Sequence, residues 1–176
     1  MPYSHDAFTK WNTDLVKLLQ PKMVLDIGCG AGKYGKIVRE VCPEARIVGY
    51  EIHPPYIEQF RLCEVYHEVR VRPAISLLDR PRERYDLVLM GDVIEHMTKS
   101  QGVDLLNFLI YRSGYISVVY PEAYVQDDWE GNPHEAHIST WSSHDFAGWE
   151  TIHKTWEGMN LYLVKGYQPS RMAVTG

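Results

Sequence analysis

Three glycines and two acids in the first third of the chain have the types and spacing to hold a ligand against main chain. They lie in Asp26-Ile27-Gly28-Cys29-Gly30-Ala31-Gly32 and in Tyr50-Glu51. Where a chain must bend tightly and let a ligand touch its backbone, only glycine leaves the room. Asp26 can accept a hydrogen bond from a ligand's amino group, or it can order the loop. Glu51, further along the chain, can take both hydroxyls of a ribose.

Three readings of this pattern arise. A P-loop is excluded, because Lys33 is followed by Tyr34 and not by Ser or Thr. Gly30-Ala31-Gly32-Lys33-Tyr34-Gly35 fits G-x-G-x-x-G, so a nicotinamide dinucleotide stays open. A tight turn holding no ligand stays open too.

A second group of reactive side chains lies further on. Asp92-Val93-Ile94-Glu95-His96 is one part. The other runs from Tyr120 to Phe146 and packs aromatics, carboxylates and histidines at a density unusual for a loop. His137 is a candidate base or orienter at a reacting group, and His96 is another. The plainer role of His96 is structural, at the opening of a helix. Ser142 is expected to cap a helix, with Trp141 and Phe146 in the core. Asp92, Glu95, His96 and His137 together make a mixed carboxylate and imidazole set. It would suit zinc, manganese or iron better than magnesium, but the sequence alone assigns no metal ligand.

These residues need a frame, and the apolar pattern supplies one. Phe8, Trp11, Leu15 and Leu18 recur at helical spacing, and Pro21 ends that helix. Short apolar runs predict strands at 23–27, 46–50, 66–71, 85–90 and 115–119. Helices between them follow the glycine loop, start at Pro54-Pro55 with Tyr56, Phe60 and Cys63 on one face, and span 101–112. Alternation of this kind predicts a parallel sheet covered on both faces. After a short helix near 145–149, strands at 150–155 and 160–164 are joined by a turn too tight for anything but an antiparallel pair. The expected fold is an α/β, Rossmann-like, mostly parallel sheet of seven strands closed by a C-terminal hairpin.

The bulk numbers set the class. With 176 residues and 45% hydrophobic content, one domain over 1–176 is expected. A net charge of −5 gives no general pull toward nucleic acid. Three cysteines, one inside the glycine loop, suit reduced thiols in the cytoplasm. No membrane span or signal peptide is expected.

Val24 to Gly32 resembles the first motif of class I methyltransferases dependent on S-adenosylmethionine (SAM). Gly49-Tyr50-Glu51-Ile52-His53 resembles their second motif. Tyr85 to Met97, with Asp92-Val93-Ile94-Glu95-His96, resembles the fourth-strand motif of the small-molecule and quinone O-methyltransferase branches. The likeness covers nearly the whole chain from Met23. It implies that Asp26, Gly28 and Gly30 hold the methionine end of SAM, that Glu51 holds the ribose, and that Asp92 lies beside the sulfonium. Cys29, Tyr34, Ile52 and Val93 complete the implied cofactor contacts. The family's acid after the third strand is replaced here by Val69-Arg70-Val71-Arg72-Pro73-Ala74. Ile52, Leu77 or Arg72 is left to meet the adenine. The implied reaction methylates a small polar or sugar-like acceptor at oxygen. Its acceptor site is expected from the 120–141 loop and the N-terminal segment (1–21), with Tyr3, His5 and Trp11. Tyr120, Tyr124 and Trp129 are candidates for stacking on a ring or for contact with a second subunit or partner protein. Two alternatives stand beside it: a SAM-binding partner protein that turns nothing over, and a metal-assisted 2′-O-methyltransferase. The second is similar to the small-RNA end-modifying enzymes with their Glu-x-x-Glu-His run.

Overall fold

The apolar runs assemble into a sheet of seven strands. The computed structural model describes residues 2–122 and 125–169, so Tyr124 lies outside the described residues. The strands are β1 (Met23–Ile27), β2 (Arg46–Glu51), β3 (Glu68–Val71), β4 (Tyr85–Gly91), β5 (Ser113–Pro121), β6 (Thr151–Trp156) and β7 (Met159–Lys165). Their order is β3-β2-β1-β4-β5-β7-β6. The first five are parallel, and β7 runs antiparallel to both β5 and β6. The strand order turns at β1, which sits between β2 and β4. A ligand crevice forms outside the carboxyl ends of the strands at such a switch point, and the glycine loop and Asp92 both follow strands there.

Successive residues of β1 face opposite ways, as the pleat requires. Val24 joins a core with Leu15, Val16, Val38 and Leu62, while Leu25 and Ile27 join a second core with Leu105, Leu106 and Leu109. The helices that cover these faces include α1 (Thr9–Leu19), α2 (Lys33–Val41), α3 (Pro55–Gln59), α4 (Leu62–Val65), α5 (Lys99–Ile110) and α6 (Ser143–Phe146). Thr98 and Gln101 close a capping box on α5. Among the described residues no helix is long and apolar enough to cross a membrane.

Two expected faces are rotated. On α1 the inward residues are Asn12, Leu15, Val16 and Leu19, and Leu18 is partly exposed. Asn12 earns its buried place because its side-chain oxygen accepts from the Ser117 hydroxyl at 2.7 Å. The helix expected to place Tyr56, Phe60 and Cys63 on one face breaks at Arg61, whose φ of 50° is left-handed. The break turns Leu62 inward and leaves Cys63 exposed. The C-terminal hairpin forms as expected. Glu157 and Gly158 both have positive φ, 52° and 72°, the geometry of a two-residue turn whose twist suits antiparallel strands.

Candidate active site

The glycine loop is pinned to the end of β2. The Gly28 and Cys29 N–H groups both donate to the Tyr50 carbonyl, at 2.8 and 3.1 Å. Gly28 has φ 72°, and a Cβ there would stand 2.2 Å from a Val93 methyl. The loop therefore lies directly against the segment that follows β4.

Glu51 is buried, with one oxygen accepting the Gly30 N–H at 2.8 Å and the other the His53 N–H at 2.9 Å. Burial pushes its carboxyl above the usual range, and these N–H groups oppose the rise. Each carboxylate oxygen keeps a second lone pair, so the fixed group can still accept from a diol.

The other expected cofactor residues divide into two sets. Ile52 and Val93 line a slot of about 220 Å³, together with Ile27, Arg72, Ala74 and Gln101. Leu77 is buried in the core. Gly28, Gly30, Glu51 and Asp92 line a small recess that also includes Val93 and His96. Cys29, Tyr34 and Asp26 pack behind the loop. The Cys29 thiol and the Tyr34 ring fill the places that side chains on Gly49 and Gly91 would take. Asp26 accepts from the Tyr66 hydroxyl at 2.5 Å, and burial pushes its carboxyl up to about 7. Of the two roles open to Asp26, its side chain is placed for ordering the interior.

Beyond β4 the chain turns sharply at Asp92, with φ 53°. Its carboxylate accepts the His5 N–H at 2.9 Å, and burial raises its pKa. A second cleft, of about 650 Å³, is lined by Tyr3, His5, Asp92, His96, Gln126 and His137, and by the 157–159 turn. His96 lines the slot, the recess and this cleft alike.

The His96 Nδ1 lies 3.1 Å from the Ala136 carbonyl oxygen. A carbonyl can only accept, so this contact assigns the proton to Nδ1 and a lone pair to Nε2. Burial lowers the His96 pKa and keeps the ring neutral. His137 meets it edge-on at 4.8 Å. Behind them Glu95 is buried, with neither oxygen hydrogen-bonded and His137 Nε2 at 4.0 Å. Burial drives the Glu95 carboxyl well above its ordinary value. Donor atoms of Glu95, His96 and His137 lie within 4.8 Å of one another, and Asp92 stands outside that set.

Comparison with known proteins fits this layout. The profile of the family described as "Methyltransferase domain" matches residues 25–109, from β1 through most of α5. An O-methyltransferase family protein from Burkholderia thailandensis superposes with a TM-score of 0.61 at 11% identity, over 92% of this chain and 57% of that one. The N-terminal domain of EvdMO1, solved with S-adenosylhomocysteine (SAH) and D-fucose, gives 0.66 at 14% identity, over 93% and 84%. The methyltransferase domain of a bacterial CtHen1 gives 0.65 at 15% identity, over 89% and 96%. Compared by sequence with curated proteins, the chain matches none. Residues 25–109 thus match a methyltransferase domain, and the fold is the one these methyltransferases share.

In this chain the long loop after β5 is stitched down onto the Glu95 turn. The Ile138 and Ser139 N–H groups donate to the Glu95 carbonyl, and the Trp141 indole donates to the Ile94 carbonyl at 3.1 Å. Ser142 caps α6 in a box with Asp145, and Trp141 and Phe146 are buried, all as the sequence indicates. Tyr120 is also buried, in a stack with Phe146 and Tyr162, while Trp129 is partly exposed. Trp11 packs against the core and not at the cleft.

The sequence did not indicate two contributions. The 157–159 hairpin turn lines the cleft, beside Gln126 of the expected 120–141 loop. The N-terminal segment crosses the glycine loop, where the Pro2 carbonyl accepts the Ala31 N–H at 2.8 Å and Lys33 holds the Ser4 and His5 carbonyls. A Glu-Gly turn is visible in sequence, but which site it overhangs depends on β7 pairing with β5.

Proposed function

We propose that this methyltransferase binds SAM across the slot and recess and methylates a hydroxyl oxygen of a small polar acceptor in the larger cleft. The fit to SAM rests on Glu51, oriented by two N–H groups with lone pairs left for a ribose, and on apolar walls at Ile27, Ile52 and Val93 for an adenine. When bound, SAM supplies a methyl group activated on a sulfonium. Asp92 offers negative charge at the boundary between recess and cleft. His96 Nε2 takes the hydroxyl proton as oxygen attacks, and Nδ1 stays tied to the Ala136 carbonyl throughout. The observation that carries this reading is that His96 lines both the cofactor side and the acceptor side. A structural neighbour described as an O-methyltransferase family protein, and another solved with D-fucose, add support for oxygen and for a sugar-like acceptor.

The test is calorimetry with SAM, followed by a screen of hydroxylated acceptors with methyl-labelled SAM. Submillimolar SAM binding and label on an oxygen are expected. No SAM binding ends the proposal. Binding without transfer to any acceptor class favours a SAM-holding partner protein.

A second reading is favoured by the Glu95, His96 and His137 cluster. One carboxylate and two imidazoles suit a zinc, manganese or iron ion, which would polarise the acceptor oxygen in place of a base. Elemental analysis and chelation decide it: no stoichiometric metal, with activity indifferent to EDTA, removes this reading.

A further inference from the structure

A side pocket of about 150 Å³ adjoins the acceptor cleft and shares Pro121, Glu122 and His137 with it. Glu95, Tyr120 and Trp141 form part of its wall. Two independent features of this region ask for a cation. The first is Glu95, only 3% exposed and with no hydrogen-bond partner for either oxygen. Its basic neighbour is His137, whose Nε2 stands 4.0 Å away without a hydrogen bond to it, so a charge on Glu95 is poorly compensated.

The second is the balance of charge. Asp92, Glu122 and Glu157 line the cleft, and Glu95 and Glu122 line the pocket. Among the described residues neither space is lined by Lys or Arg. Glu122 and Glu157 are brought together by the β5–β7 pairing, where the Glu122 N–H donates to the Gly158 carbonyl at 2.7 Å. Repulsion within such a group is relieved by a positive ligand. Tyr120 and Trp141 make part of the wall aromatic, and the Trp141 ring already carries the Lys99 ammonium at 4.0 Å.

We propose that this pocket receives the ammonium group of the acceptor, which is therefore an amino alcohol, amino sugars included. This rests on the methyl-transfer reading above and competes with the metal reading for Glu95. Donor atoms of Glu95 and His96 lie within 4.8 Å, so the hydroxyl at His96 and the ammonium at Glu95 are a few carbons apart. The hydroxyl oxygen forms the new bond to the methyl carbon, and its proton goes to His96. The carbon–sulfur bond breaks with its electron pair on sulfur, leaving SAH. The ammonium keeps all its N–H bonds, has no lone pair to attack with, and is spared. Acceptors bearing phosphate or carboxylate are repelled.

The test uses the full chain and methyl-labelled SAM. Each probe is compared with its own analogues: free amine, N-acetyl, hydroxyl in place of amine, and carboxylate. Ethanolamine, 2-amino-1,3-propanediol and glucosamine serve as the amines. Amines that are methylated, at oxygen by NMR, with their neutral analogues at least about tenfold poorer in kcat/KM, are expected. Glu95→Gln should raise KM for the amine about tenfold or more, leave KM for SAM unchanged, and erase the preference over the N-acetyl analogue. Glu122→Gln, at an exposed position that folding tolerates, should weaken the same preference by a few-fold. Equal turnover of neutral analogues overturns the proposal while sparing the methyl-transfer reading. So does methylation at nitrogen, stoichiometric metal, or no amine binding tighter than about 10 mM to the SAH-loaded chain. Loss of SAM binding itself sinks the underlying reading instead.

Discussion

The His96 Nδ1 and the Ala136 carbonyl oxygen, 3.1 Å apart, tie the turn after β4 to the long loop after β5. The contact fixes both the tautomer and the direction of the ring, and it points a basic nitrogen where cofactor and acceptor spaces meet. His96→Asn should therefore lower kcat by roughly a hundredfold or more while SAM affinity stays within a few-fold. His137 touches the acceptor cleft but not the slot, so His137→Gln should cost less. Steady-state kinetics with calorimetry on both variants checks the order. Equal and complete losses from both would instead favour the shared metal ion.

Glu51 should carry cofactor affinity and not turnover. Its two oxygens hold the Gly30 and His53 N–H groups, so Glu51→Gln removes a charged acceptor from the ribose and loosens the loop together. Charge-assisted bonds contribute about 1.5–3 kcal/mol each. SAM affinity should fall by roughly ten- to a hundredfold, with a smaller change in kcat at saturating SAM. Calorimetry showing unchanged affinity would place the ribose elsewhere.

Much of this was legible in the residues because β1, the glycine loop and β2 are continuous segments whose chemistry is local. Gly28 and Glu51 lie where their spacing implies, and the closing hairpin follows from a two-residue turn. What was not legible is long-range. Cys29 and Tyr34 look like cofactor contacts in a linear motif, yet their side chains face inward because Gly49 and Gly91 leave holes for them. The orphaned Glu95 carboxylate, and the stitching of Ile138 and Ser139 to its backbone, depend on a loop returning more than forty residues later. The break at Arg61 that turns Leu62 inward has no marker in residue type, since arginine seldom adopts a positive φ.

The loop's position also depends on a glycine in α5. A Cβ on Gly102 would stand 2.4 Å from the Trp141 ring, whose indole N–H holds the Ile94 carbonyl. Gly102→Ala improves helix propensity by up to about 1 kcal/mol, but it must displace a buried indole. The net effect should be destabilising by about 1–3 kcal/mol, with the 125–141 segment cleaved faster by protease. Thermal unfolding and limited proteolysis check both. A variant as stable as wild type, with the loop equally protected, would show that Trp141 is free to move.

Asp26 gives the chain an unusual pH dependence. In the folded state burial raises its carboxyl to about 7, although the Tyr66 hydroxyl bond pulls the other way. In the unfolded chain it titrates at about 3.9. Between those values the folded state holds a proton that the unfolded state has lost. Its stabilising contribution is thus complete below the unfolded value and disappears as pH rises through about 7. Asp26→Asn keeps an oxygen for Tyr66 and removes the titration. From pH 5 to pH 7 wild type should lose on the order of 2–3 kcal/mol relative to the variant, following the linkage relation of about 1.4 kcal/mol per pH unit. Urea unfolding of both proteins across that range measures the difference directly. A gap independent of pH would mean that Asp26 is already ionised in the folded protein at pH 5, and that the Tyr66 bond outweighs burial.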